Sequence, residues 1–145
     1  VPAAIGANLL FPGRTAIAIA GDGDFLMPGQ ELAAATQYGA GRGAGSLVVV
    51  VVDNGSYGTI RMHQERDYPA RVSGTALTNP DFVQLAHAYG WQAERVETTA
   101  GFEPAFDRAM AADRPTLLHL PLPQDVSTSR TTLAALRAAA LAARA

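Results

Sequence analysis

Apolar positions along this chain come in unbroken runs rather than in strict alternation, the pattern of strands covered on both faces of a parallel sheet. Thr15 to Ala20 is the first run. Ser46 to Val52, with five consecutive valines, is the second and the most strongly β-branched. Trp91 to Val96 and Thr116 to Leu120 supply two more. Helical signals fall between and around them. Pro2 to Leu10 is small and apolar and stops at Phe11-Pro12-Gly13, where proline and glycine break the ladder. Gln30 to Tyr38 carries Glu31 in its first turn and ends at Gly39. Tyr57 to Arg66 follows the Asn54-Gly55 turn. Asn79-Pro80 reads as a cap and first turn for a helix presenting Phe82, Leu85, Ala86 and Tyr89 on one face, with Gly90 as its stop. Phe102 to Ala112 shares Phe102, Phe106, Ala109 and Met110 on one face, with Pro104 in its first turn.

Strand, helix, strand, helix, strand, helix, strand is the order of a three-layer α/β/α domain with a mainly parallel sheet. Ligands in such sheets sit beyond the carboxyl ends of the strands. Residues 1–125 are expected to form this domain. Residues 126–145 are expected to form a helical tail with good propensity but a poor apolar stripe, docked or frayed. Two stretches read as connections: Asp67 to Thr78, polar and interrupted by Pro69 and Gly74, and Gly39 to Gly45, where glycine alternates with other residues and is not expected to pack a core. The second has a helix before it and a strand after it, the reverse of what a Rossmann phosphate loop requires.

Composition narrows the function classes. The chain has 145 residues, 48% of them hydrophobic and 17% charged, a soluble globular balance long enough to bury a core. A net charge of −2, scattered arginines and no lysine give no basic footprint for nucleic acid or a membrane surface. No run approaches the ~20 apolar residues of a membrane span. The absence of cysteine excludes disulfides and thiol chemistry and fits a cytoplasmic protein. A start at Val1-Pro2-Ala3-Ala4 rather than Met reads as a fragment of a longer chain.

Chemistry concentrates at two strand ends. Gly21-Asp22-Gly23-Asp24-Phe25 closes the first run and Asp53-Asn54-Gly55 the second, so a carboxylate and a carboxamide beside glycines leave the same edge of the sheet. Hard oxygen ligands, close backbone approach and a following helix start suit magnesium and a diphosphate. Each piece also has a plain structural use, since Asp22 can cap a helix and Asn-Gly is an ordinary turn. His87 and His119 read as surface and core residues, Trp91 and the phenylalanines as core. Arg61, Arg66 and Arg71 read as solvated or at an interface.

GDGDFLMPGQELAAATQYG followed by VVVVVDNGSYGTI resembles the signature of thiamine diphosphate enzymes, a GDG separated from a terminal Asn pair. PAAIGANLLFP before it and NPDFVQLAHAYG after it resemble segments of the acetolactate synthase-like group, so the likeness runs to about Leu122. The resemblance implies the thiamine diphosphate-binding fold of that group's C-terminal domain, with thiamine diphosphate and Mg2+ as cofactors. By the same resemblance, Asp22, Asn54 and the Ser56 backbone carbonyl bind the metal. Gly21, Gly23, Asp24 and Phe25 offer close approach to the diphosphate, and Tyr57, Gly58, Thr59 and Ile60 lie toward the thiazolium.

Departures from the group's pattern matter for the reaction. Asp53 replaces the first Asn of the pair, and Asp24 stands where Ser or Thr is common, so only its backbone is credited. The signature is longer than usual by the Gly39 to Gly45 stretch, expected on the far side of the sheet from the site, where its effect should be small. His63 stands where acetolactate synthases carry a Trp that helps select the second 2-oxo acid. Ile60 stands where pyruvate decarboxylases carry an acidic residue. The activating glutamate is implied in a separate pyrimidine-binding domain contributed by a second subunit of a homodimer or homotetramer, so no catalytic residue is expected in these 145 residues. Three readings follow: part of a 2-oxo acid carboligase; part of a 2-oxo acid decarboxylase; or a non-catalytic cofactor-binding or oligomerisation module. The residues do not speak to a requirement for FAD.

Overall fold

A computed structural model describes residues 1–43, 45–126 and 130–144; Ala44 in the glycine-rich stretch and residues 127–129 and 145 in the tail lie outside the described residues. The chain divides into two compact units, Val1–Asp53 with Pro80–Pro121, and Asn54–Asn79 with Leu122–Ala145.

The first unit holds a four-stranded, wholly parallel sheet in the order β1-β2-β4-β3, with β1 Ala16–Gly21, β2 Leu47–Asp53, β3 Gln92–Arg95 and β4 Thr116–Pro121. The valine run is its centre. Alternate β2 residues face opposite sides, and both faces are covered, so a continuous apolar run is stable where an alternating one would bury polar groups. On one face Val49, Val51, Leu47 and Leu117 pack with α1 (Pro2–Leu10), α2 (Asp22–Leu26), α3 (Leu32–Tyr38) and α5 (Phe82–Ala88) through Ile5, Phe25, Leu32, Ala35, Phe82 and Ala86. On the other, Val48, Val50 and Leu118 meet α6 (Thr99–Met110) through Ala105 and Ala109. The α/β fold with helices flanking a parallel sheet is thus as the sequence predicts.

Several local expectations are corrected. Among the described residues β1 is not covered on both faces: α6 lies over β2 and β4, and Ile17 and Ile19 on the edge strand remain 48% and 76% exposed. Phe11, expected in the core, is exposed at the end of α1. The stretch after β1 runs directly into α2, with Gly21 rather than Asp22 at the cap position, followed by a single 3-10 turn at Gly29–Glu31. The cap of α5 is Asp81, whose side chain accepts from Val83 N (2.9 Å) and Gln84 N (3.0 Å), so the helix starts later than Asn79-Pro80 suggests. Conversely α6 begins early, capped by Thr98, which leaves Pro104 inside the helix rather than in its first turn.

The glycine-rich connection also packs more than expected. Ala40 is buried in the core, and the carboxamide of buried Asn8 on α1 brackets the stretch. Its oxygen accepts from Gly41 N (2.6 Å), and its nitrogen donates to the carbonyls of Arg14 (3.2 Å), Gly45 (3.2 Å) and Ser46 (3.3 Å). A lone Asn in an otherwise apolar helix is therefore a hydrogen-bond hub. Gly41 has φ +69, and a Cβ there would come within 3.0 Å of Pro115, so both conformation and space require glycine.

The second unit contains α4 (Gly58–Asp67), α7 (Leu133–Ala142) and an isolated antiparallel bridge between Ser56 and Ala76. The tail is a docked helix: Thr132 caps it, accepting from Ala135 N, and it packs on α4 with Leu133 buried. Among the described residues no helix is long and apolar enough to cross a membrane.

Asn8→Ala strips the partner from a buried N–H at Gly41 and unties the connection to β2. An unsatisfied buried donor costs about 1–3 kcal/mol. Chemical denaturation should show a loss of that size, whereas Arg42→Ala, at an exposed position of the same stretch, should leave the midpoint unchanged.

Candidate functional site

The strand register sets the site. β1 and β2 pair from Ala16 opposite Leu47 to Gly21 opposite Val52, and β2 meets β4 as far as Asp53 opposite Pro121. Gly21 and Asp53 therefore stand at one carboxyl edge. Gly21 is the N-cap of α2 and Asp22 its first residue, with the side chain buried at the start of the helix. Gly23 is buried and Asp24 exposed. A Cβ on Gly21 would lie 3.3 Å from Oδ2 of Asp24, so that carboxylate folds back over the helix start. Phe25 is fully buried and anchors α2 to the core.

Within the second unit, Asn54, Ser56 and Tyr57 to Ile60 form a turn leading into α4. Asn54 Oδ1 accepts from Ser56 N (3.0 Å) and Ser56 Oγ (3.1 Å), an Asx turn. Gly55 has φ +67. The bridge opposite is made by Leu77 N to Gly55 O and Tyr57 N to Thr75 O, each 2.9 Å. Those two bonds flank Ser56, so it occupies a non-hydrogen-bonded position of the bridge and its own carbonyl is directed away from Ala76. Gly58 is the first residue of α4, and a Cβ there would come within 2.7 Å of Asn54 Nδ2, so the helix start is moulded around the carboxamide. Thr59 and Ile60 continue the helix, with Ile60 54% exposed.

Asp22 in the first unit carries a carboxylate, and Asn54 and Ser56 in the second carry a carboxamide oxygen and a backbone carbonyl, each of the hard oxygen type that magnesium takes. Among the described residues no three His, Cys, Asp or Glu side chains gather into a metal-binding group.

Two buried polar clusters lie outside the residues picked from the sequence. His119 on β4 pairs with Asp53, Nε2 to Oδ2 at 2.9 Å. It also meets the ring of Phe82 edge-on at 5.2 Å, and Phe82 meets Phe25 at 5.4 Å and 87°. The parallel register that joins His119 to Asp53 has no local sequence signal. In the second unit Glu65 on α4 is fully buried and gathers Arg137 from α7 (Nε to Oε2, 2.8 Å, with a second contact from Nη2 to Oε1), Arg61 (3.3 Å) and Ala70 N (3.3 Å). Arg61 is thus an ion-pair partner rather than a solvated side chain. His63 Nδ1 lies 2.8 Å from Arg66 Nη2 at an exposed position, and Arg71 is exposed.

The hydrogen bond from Arg137, helped by Ala70 N–H and Arg61 against the opposing effect of burial, lowers Glu65 from 4.5 to about 2. A lowered carboxylate pKa contributes stability that is complete above the unfolded value and lost as pH falls through the folded one. The Glu65 contribution is therefore full above about 4.5 and fades toward pH 2.

Comparison with known proteins gives the following. The family model described as "Thiamine pyrophosphate enzyme, C-terminal TPP binding domain" matches residues 1–120. The acetolactate synthase isozyme 2 large subunit of Escherichia coli K12 is 37% identical over 121 residues, covering 83% of this chain and 21% of that protein. A probable acetolactate synthase large subunit of Methanocaldococcus jannaschii is 36% identical over 120 residues, covering 82% and 20% respectively. Among solved structures, a thiamine diphosphate-dependent 4-hydroxybenzoylformate decarboxylase of Rhodococcus jostii RHA1 superposes with a TM-score of 0.77 at 34% identity, over 86% of this chain and 23% of that one. The chain thus spans about a fifth of the length of the curated relatives it matches.

Carboxyl NMR should place the Glu65 midpoint near 2, and Arg137→Met should move it upward. Stability measured from pH 5 to pH 2 should fall less steeply in Glu65→Gln than in the unaltered protein, because the titrating group is gone.

Proposed function

The chain belongs to the family of C-terminal TPP-binding domains of thiamine pyrophosphate enzymes, and from that premise we propose that it holds the diphosphate end of thiamine diphosphate through Mg2+ within a larger enzyme acting on a 2-oxo acid. The observation that carries this reading is the pair of neighbouring parallel strands ending in register, Gly21 opposite Val52, each continuing directly into a residue with a hard oxygen ligand. Asp22 follows one strand, and Asn54 is the residue after Asp53 on the other.

In this proposal the Asp22 carboxylate, the Asn54 carboxamide oxygen and the Ser56 carbonyl hold the metal. The direction of the Ser56 carbonyl away from its bridge partner supports its role. One of the two donors on Asn54 Oδ1 is the Ser56 hydroxyl, a rotor that turns aside readily. Gly21, Gly23, the Asp24 backbone and the Phe25-anchored start of α2 receive the diphosphate once the exposed Asp24 carboxylate, which folds back over the helix start, swings aside. Tyr57, Gly58, Thr59 and Ile60 face the thiazolium side, where exposed Ile60 supplies apolar surface. When bound, thiamine diphosphate supplies the electron sink for breaking a bond next to a 2-oxo group. The glutamate that activates it belongs, in this reading, to a pyrimidine-binding domain of a second subunit. Residues 1–125 serve as the cofactor-binding domain and 126–145 as its tail.

For the reaction we favour simple decarboxylation of a 2-oxo acid. His63 where synthases place Trp, and the likeness to a solved decarboxylase at a TM-score of 0.77, support it. Carboligation is the second reading, supported by the acetolactate synthase names of the relatives most similar in sequence. With the full-length protein, release of CO2 and aldehyde in equal amounts supports the first. A coupled 2-hydroxy-2-alkyl-3-oxo acid product supports the second.

Asp22→Ala should reduce Mg2+-dependent thiamine diphosphate binding at least ~100-fold by calorimetry, as expected for losing the one carboxylate of a hard-ion site. Unchanged binding would remove the metal assignment.

A further inference from the structure

Asp53 poses an electrostatic problem. It is a carboxylate one residue before Asn54, at the strand edge where the proposed site receives a diphosphate, and two anions a few ångströms apart repel unless one is turned away or partnered. The structure contains the partner. His119 lies on the neighbouring strand β4, opposite Val51, so its side chain reaches forward along the ladder to Asp53 two residues on. The carboxylate accepts from His119 Nε2 at 2.9 Å and is drawn toward β4, with 5% of the histidine side chain and 17% of the aspartate exposed.

The imidazole is itself fixed. Its ring packs edge-on against Phe82 at 5.2 Å and 71°. Phe82 opens α5 and is held there by the Asp81 cap. The other contact of Phe82 is Phe25 at 5.4 Å, on the helix that begins with Asp22. Phe25 is fully buried, and a Cβ on Gly29 would stand 3.2 Å from its ring, so glycine at 29 leaves the room that the ring occupies. One buried line of side chains thus joins the end of β2 to the start of α2.

We propose that His119 is a positioning residue for the cofactor site: it orients the Asp53 carboxylate along the sheet toward β4, keeping that charge off the diphosphate. This inference rests on the assignment of Asp22 and Asn54 to the metal-diphosphate site. It gives a use to a buried imidazole–carboxylate pair at the edge of the proposed site.

The test is Mg2+-dependent thiamine diphosphate binding by the full-length protein, measured by calorimetry, with thermal midpoints recorded without cofactor. His119→Phe keeps a ring against Phe82 and loses the bond; it should weaken binding about tenfold. His119→Gln retains a donor and should recover most of the loss. In an Asp53→Asn background the charge is absent, and His119→Phe should then change binding less than about twofold, a coupling that a general loss of packing would not produce. Should His119→Phe fail to fold, the aspartate carries the test. Asp53→Glu keeps the charge but overshoots the imidazole and should bind at least ~5-fold more weakly than Asp53→Asn. Equal binding by Asp53→Glu and Asp53→Asn, or an unaltered affinity in folded His119→Phe, overturns the proposal. Loss of Mg2+-dependent binding in the unaltered protein would instead overturn the metal-diphosphate reading beneath it, and this inference with it.

Discussion

The constraint on which the rest of the first unit depends is the burial of β2 between two parallel neighbours. Val48, Val49 and Val51 are fully inaccessible, with apolar side chains above and below them. Each such side chain contributes on the order of 1.5–3 kcal/mol. Parallel ladders leave little tolerance for slippage, because a one-residue shift would exchange the residues facing α6 with those facing α3 and α5. Once β2 is seated, Gly21 and Asp53 reach the same edge, and a strand chosen for its apolar content becomes the ruler that places polar groups.

Polar groups in this chain serve chiefly to join segments distant in sequence. The Asn8 carboxamide ties α1 to the connection before β2. His119 ties β4 to the end of β2. Glu65 ties α7 to α4 through Arg137. In each case a buried polar side chain is satisfied by several or charge-assisted partners, the condition under which its desolvation is offset. The edge strand shows the opposite situation: Ile17 and Ile19 are apolar by sequence yet exposed, since no helix of the described residues lies over that side of β1.

The division of labour between the two candidate ligand regions follows from their backbones. Asp22 gains its setting from a helix start and a buried aromatic anchor three residues on. Asn54 and Ser56 gain theirs from an Asx turn and a two-bond bridge, which fix carbonyl directions without a regular strand. Glycine at 55 and 58 is needed for different reasons, positive φ at the first and space for the Asn54 carboxamide at the second.

What the sequence by itself determined was whatever local physics sets. Continuous β-branched runs marked the central strands, proline and glycine marked the stops, and the alternation of strand and helix marked an α/β fold. The GDG and Asp-Asn-Gly stretches stood out as candidates because carboxylate, carboxamide and glycine fall together where two apolar runs end. Element boundaries were less legible: Asp81 and Thr98 proved to be the caps because competing cap residues lie within a few positions of one another. Tertiary structure alone decided that β4 inserts between β2 and β3, that β1 is an open edge, and that His119 meets Asp53 across 66 residues of chain. The physical reason is that strand order and register are set by long-range packing between faces that look alike in sequence, so a buried histidine and a strand-end aspartate show no sign of each other until the ladder between them has formed.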